Sequence, residues 1–293
     1  MKRSGLILAV MASLLAVWLL PLAGQQAAKA PAWKDHIDFF ENIVEVEGIG
    51  VPPVKYDPNT SAAYALAREA ATVVADRNVA KLLEGVYVDS TTRVVDMGAE
   101  TISRITEELK RTKIPGGQVV EETSQEEYMR TKLVRVRVRY PLADGVMPLL
   151  MNVVKDDIRK KEGALPVFKP ATPPPPALPA YDGLIVKVPA SFRPSIDPKI
   201  FTPKGEIIYG AKTVAMDVLI SRGVAQFSNN EGKAKAALEN FGCQQVLTVT
   251  GSLRTASDAE VPAEEASRIL QANEKTSFLE KARVVFLVGK AKG

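Results

Sequence analysis

The stretch VEGIGVPPVKYDPNTSAAYALAREAA, residues 46–71, decides how the N-terminal half is read. The apolar run Ile43 to Val46 leads into Gly48-Ile49-Gly50. Pro52 and Pro53 follow, and then an alanine-rich helix begins. Strand, glycine loop, helix is also how a nucleotide site opens, so the chemistry of the loop matters. It does not suit a phosphate. No third glycine stands where the helix begins, and no Gly-Lys-Ser/Thr follows. Phosphate cradles rely on backbone N–H groups, which Pro52 and Pro53 lack. Gly48, Gly50, Pro52 and Pro53 therefore read as a structural loop.

Working outward, Asn59, Thr60 or Ser61 can cap a helix that runs to about Glu84, where Gly85 stops it. Its many alanines would let it lie close against a sheet. Val86 to Val95 is β-branched and reads as a strand. Ala99 to Lys110 carries Ile102, Ile105 and Leu109 at helical spacing. Pro115-Gly116-Gly117 turns the chain, Gln118 to Thr123 reads as a strand, and Tyr128 to Tyr140 as a long one. The order β-α-β-α-β-β predicts an α+β domain, with two helices on one face of a small mixed sheet.

In KLVRVRVRYPL, residues 132–142, Val134, Val136, Val138 and Tyr140 point one way and Arg135, Arg137 and Arg139 the other. The arginines are the candidate interaction face, a basic stripe for an acidic partner. The alternative is a solvated outer face with Glu121, Glu122, Glu126 and Glu127 as partners, which ordinary half-buried strands favour.

Met147 to Lys161 reads as a short helix, and PVFKPATPPPPALPAY follows. So much proline excludes helix and central strand, and marks a semi-rigid linker. The organisation expected is a segment 1–32, an α+β domain over 33–161, a linker over 162–180 and a smaller α+β domain over 181–293. In that last domain Leu184 to Val188 reads as a strand and residues 198–210 as a hairpin turning at Pro203-Lys204-Gly205. Lys212 to Ile220 reads as strand, Gly232 to Asn240 as helix, and QQVLTVTGSL as strand. Pro262 opens a helix through Leu270, and ARVVFLVG closes as a buried strand.

Residues 1–32 have the pattern of an export signal: Lys2 and Arg3, then an uncharged apolar run from Gly5 to Leu20. Cleavage after Ala32 or Ala30 is expected, with an uncleaved anchor as the competitor. Leu22-Ala23-Gly24 would precede the lipidated cysteine of a lipoprotein, but Gln25 stands there. The formal charge of +4 includes Lys2, Arg3 and Lys29, which leaves the rest of the 293-residue chain near neutral and gives no argument for nucleic acid. One histidine, His36, and one cysteine, Cys243, give no His/Cys metal set and no intramolecular disulfide. His36 lies far from any candidate nucleophile in sequence, and Cys243 reads as a small core residue. No catalytic residues, metal ligands or cofactor are expected.

Residues 43–140, with the G-x-G-x-P-P loop and the A-x-x-x-A-R-x-A-A helix, resemble the N-terminal domain of small outer-membrane lipoproteins and of the flagellar assembly protein T family. Residues 181–210 and 262–289 resemble the second module of many of these proteins. The resemblance implies an exported, periplasmic cell-envelope protein, associated with the outer membrane or the flagellar motor. It implies structural or assembly work through protein–protein contacts, self-assembly included, and no catalytic residues. Membrane contact would come only through an uncleaved signal or a partner. The alternative is a periplasmic module binding peptidoglycan or a small anion in a crevice between domains, with Tyr181, Tyr209 or Phe192 as lining.

Overall fold

A computed structural model describes residues 34–170 and 179–290. The expected signal, residues 1–32, and the proline run at 173–176 lie outside them. From Lys34 on the chain forms one compact unit, with α+β architecture throughout.

The first half comprises β1 (His36–Asp38), β2 (Ile43–Gly50), α1 (Ser61–Leu83), α2 (Ala99–Arg111), β3 (Gln118–Glu122), α3 (Gln125–Thr131), β4 (Val134–Pro141) and α4 (Met147–Glu162). Its sheet runs β1-β2-β4-β3 and is antiparallel at every pair, not mixed. Thr60 caps α1 by accepting from the Ala63 N–H. Ala63, Ala67, Ala71 and Ala75 then form a fully buried stripe, one residue per turn, along the face that meets β2. Gly48 and Gly50, expected in a loop, are instead the end of β2, paired opposite Val136 and Val134, and they complete this contact, while Pro52 and Pro53 follow the strand. A Cβ on Gly48 would stand 1.9 Å from the Ala71 carbonyl oxygen, and one on Gly50 2.0 Å from that of Ala67. Backbone lies on backbone here, and only glycine leaves the room.

The second half comprises β5 (Gly183–Val188), β6 (Ile200–Phe201), β7 (Ile207–Tyr209), α5 (Met216–Arg222), β8 (Gln226–Ser228), α6 (Glu231–Asn240), β9 (Val246–Thr250), β10 (Ser252–Leu253), β11 (Ala259–Glu260), α7 (Ala263–Asn273) and β12 (Val284–Val288). A parallel sheet runs β8-β12-β5-β9, and a small second sheet runs β10-β11-β6-β7. In the parallel sheet both faces are covered. Ile185 and Val285 pack on Ala234 and Leu238 of α6, while Val186 and Phe286 belong to the main core on the other side. Phe286 stacks on both Phe192 and Phe227, with ring centroids at 5.2 and 5.8 Å, and the triangle closes with Phe192 and Phe227 at 6.3 Å.

Three further expectations are corrected. Val86 to Val95 is not a sheet strand. Asp89 folds the segment by accepting from the N–H groups of Thr91 and Thr92, and Val94 opens a short 3-10 turn. The carbonyls of Tyr87 and Val88 accept from Ile196 and Asp197 of the second half, so this segment joins the two halves. Tyr128 begins no strand. Ser124 caps α3 by accepting from Glu127 N–H, and β4 starts only at Val134. Over Lys212 to Ile220 the chain turns into helix α5 instead of a strand. The order β-α-β-α-β-β accordingly becomes β-β-α-α-β-α-β-α.

The halves also meet through buried charge. Glu162, at the end of α4, accepts from Ala211 N–H at 2.9 Å and from Lys212 N–H, beyond β7. Asp197 accepts from the same Ala211 N–H at 3.3 Å and pairs with the Lys199 ammonium at 2.6 Å. Asp258 accepts from Lys199 N–H. Burial, together with the neighbouring Asp197 carboxylate, pushes the Glu162 carboxyl up to about 8. Residues counted in the linker take part as well: Ile207 donates to Pro166 and accepts from Phe168 N–H.

Candidate functional site: a sheet edge and a cleft

The arginine stripe is compensated within the sheet. On the outer face of β4, Arg139 pairs with Glu45, Arg137 with Glu121 at 2.6 Å and Arg135 with Glu47 at 3.6 Å. The carboxylates come from both flanking strands, because β2 and β3 place acidic residues opposite or diagonal to each arginine. Of the glutamates expected as partners, Glu121 serves. Glu122 turns to the inner side, where it accepts from Arg68 and from the Tyr64 hydroxyl. Both contacts hold the Glu122 carboxyl below its usual range against the opposing effect of its partial burial. The three arginines therefore lie in a charge-balanced face, and Gly48 and Gly50 in a packing contact.

Beside that face lies an edge. β3 pairs only with β4, so its outer side has no strand partner among the described residues. Gln118, Val119, Val120 and Glu121 are all exposed, and a bulge falls at Val120. Exposed Glu126 and Glu127 follow on α3. The result is an open edge with two exposed valines and an acidic surround.

A cleft of about 350 Å³ lies between the halves. One wall is the turn after β1, with Phe39 and Phe40, together with the segment Leu142–Val146. Asn42, in the left-handed region at φ 57°, holds these pieces together: its carbonyl and its Oδ1 accept from Leu142 and Ala143 N–H. The other wall is the α5–β8 segment and one face of α6. Phe39 meets Phe227 edge-on at 5.7 Å across the cleft. Glu41 and Lys233 bridge the halves at 2.7 Å, both about half exposed. Arg222 lies over the Phe241 ring at 4.4 Å. Ser195 is 1% exposed, and its hydroxyl has no hydrogen-bond partner among the described residues.

The aromatics singled out from the sequence do not line this cleft. Tyr209 is fully buried, with its hydroxyl on the Val224 carbonyl, and Phe192 sits in the core behind Phe227. The lining rings, Phe39, Phe40, Phe227 and Phe241, come from segments distant in sequence, and no local pattern in either half marks them as neighbours. Cys243 is buried and donates to the Asp182 carbonyl; burial pushes its thiol up, away from a reactive thiolate. Among the described residues no cluster of His, Cys, Asp and Glu could hold a metal ion, and no helix is long and apolar enough to cross a membrane.

With this geometry in view, the second half has a counterpart. A family model built on the second domain of Treponema pallidum Tp0624 matches residues 182–290, the whole span from β5 to β12. This half is similar to that domain. No curated protein matches the chain.

Proposed function

We propose that this is an exported, periplasmic and non-enzymatic cell-envelope protein that works by docking another envelope protein. The observation that carries the proposal is the open edge of β3. A sheet edge with unpaired N–H and C=O groups accepts an extended segment as an added strand, and side-chain chemistry then selects the partner. Glu126 and Glu127 beside Glu121 favour a segment carrying lysine or arginine. Export is supported by the Lys2-Arg3 start and apolar run of residues 1–32, and location near the outer membrane or flagellar motor by the family resemblance of residues 43–140.

Native mass spectrometry of the chain recovered from envelope extract tests the reading. Val120→Pro removes one edge N–H at a bulge, where proline is tolerated, so the fold should survive. The expected result is a defined complex for the wild-type chain that Val120→Pro loses. A monomer in both preparations would contradict it.

A further inference from the structure

The cleft holds features that docking through β3 does not use. Ser195 lines it through atoms other than its hydroxyl, which is buried away from the cleft space and has no partner among the described residues. At the rim stand two side chains of opposite charge. Arg222 and Asp144 both line the cleft, both are exposed, and neither forms an ion pair with a described residue. The Lys233 ammonium is matched by Glu41. The stack on Phe241 holds the guanidinium plane while leaving its edge donors for a planar anion. The same cleft is lined by Phe39, Phe40 and Phe227, with the small Ala236 and Ala237 on α6.

An occupant that answers all of this carries a carboxylate for Arg222, an ammonium for Asp144 and an apolar body for the phenylalanine wall. We propose that the cleft binds a small zwitterion with an apolar side chain, either a free amino acid or a short peptide with both ends unblocked. The cleft volume lies within the range of small-molecule sites. The proposal stands on side chains other than those of β3, so the two readings can fail separately.

Isothermal titration of the chain purified from the envelope tests it. The probes are L-phenylalanine and the dipeptide Leu-Phe, each compared with its N-acetyl and C-terminal amide forms. The unblocked probes are expected to bind, and removing either charge should weaken binding about tenfold, the size of one charge-assisted hydrogen bond. Arg222→Ala should erase the preference over the amide, and Asp144→Asn the preference over the N-acetyl form. Both side chains are exposed, so both variants should fold. Tighter binding of the dipeptide than of phenylalanine would assign the site to peptides, and the reverse to free amino acids. Equal binding of blocked and unblocked forms, or binding by none of the probes, would overturn the proposal.

Discussion

The antiparallel sheet of the first half and the parallel sheet of the second solve the same burial problem in different ways. β4 buries one face: Val134, Val136, Val138 and Tyr140 go in and the arginines go out. β12 and β5 are buried on both faces except for Leu287 and Lys187. A strand covered on one side can spend its other side on charge. A strand covered on both sides has no such freedom, as its run of valine, isoleucine, leucine and phenylalanine shows. The candidate docking edge belongs to the first sheet, while the rings lining the cleft come from both halves, Phe39 and Phe40 from the first and Phe227 and Phe241 from the second.

Substitutions can break or sharpen this contrast. The largest effect is expected in the parallel sheet. Phe286→Ala removes one ring of a cluster of three and should cost about 3–5 kcal/mol in denaturant unfolding. Next comes the one place where the first half is equally tight. Gly48→Ala drives a methyl group into the α1 backbone and should cost about 3 kcal/mol. Ala62→Val, on the exposed side of the same helix, should cost only about 0.7 kcal/mol or less, the difference in helix propensity. Losses that came out equal would remove the close-packing argument.

The junction between the halves should respond to pH. The native Glu162 carboxyl is raised to about 8, while the unfolded chain has it near the ordinary glutamate value. Its contribution is therefore fully present below about pH 4.5 and is lost as pH rises through 8. In that window the native state holds a proton that the unfolded state has released, so stability falls by up to about 1.4 kcal/mol per pH unit. Glu162→Gln should flatten that slope in melts followed from pH 5 to 9. The smallest effect is expected on the outer face of the first sheet: Arg135→Ala, at a mostly exposed arginine 3.6 Å from Glu47, should cost about 0.5 kcal/mol or less, and less still at high salt.

How much of this was legible in the sequence follows the same division. The residues themselves named α1 as a helix, β12 as a buried strand and, in β4, the buried side as well, through the alternation of Val134, Val136, Val138 and Tyr140 with arginine. The capping signal at Ser124 and Glu127 was also present in the sequence, but the β-branched run behind it masked α3. Val86 to Val95 looked like a strand because its β-branched residues are indeed partly buried. The segment, however, folds back on itself, with Val94 N–H on the Val86 carbonyl, and its Tyr87 and Val88 carbonyls meet donors more than a hundred residues away, at Ile196 and Asp197. The cleft was out of reach for the same reason. Phe39, Ser195, Arg222 and Phe227 become neighbours only when the halves dock, and no local pattern records that meeting.

The most direct measurement of the central claim is site-specific photo-crosslinking in living cells, with a photoreactive residue at Val120 on β3 or at Val73 on the exposed side of α1. Both positions are exposed to a similar degree, 42% and 44%. The account predicts a discrete crosslinked product from Val120 that joins this chain to another envelope protein, and none from Val73. Products of equal yield from both positions, or from neither, would contradict it.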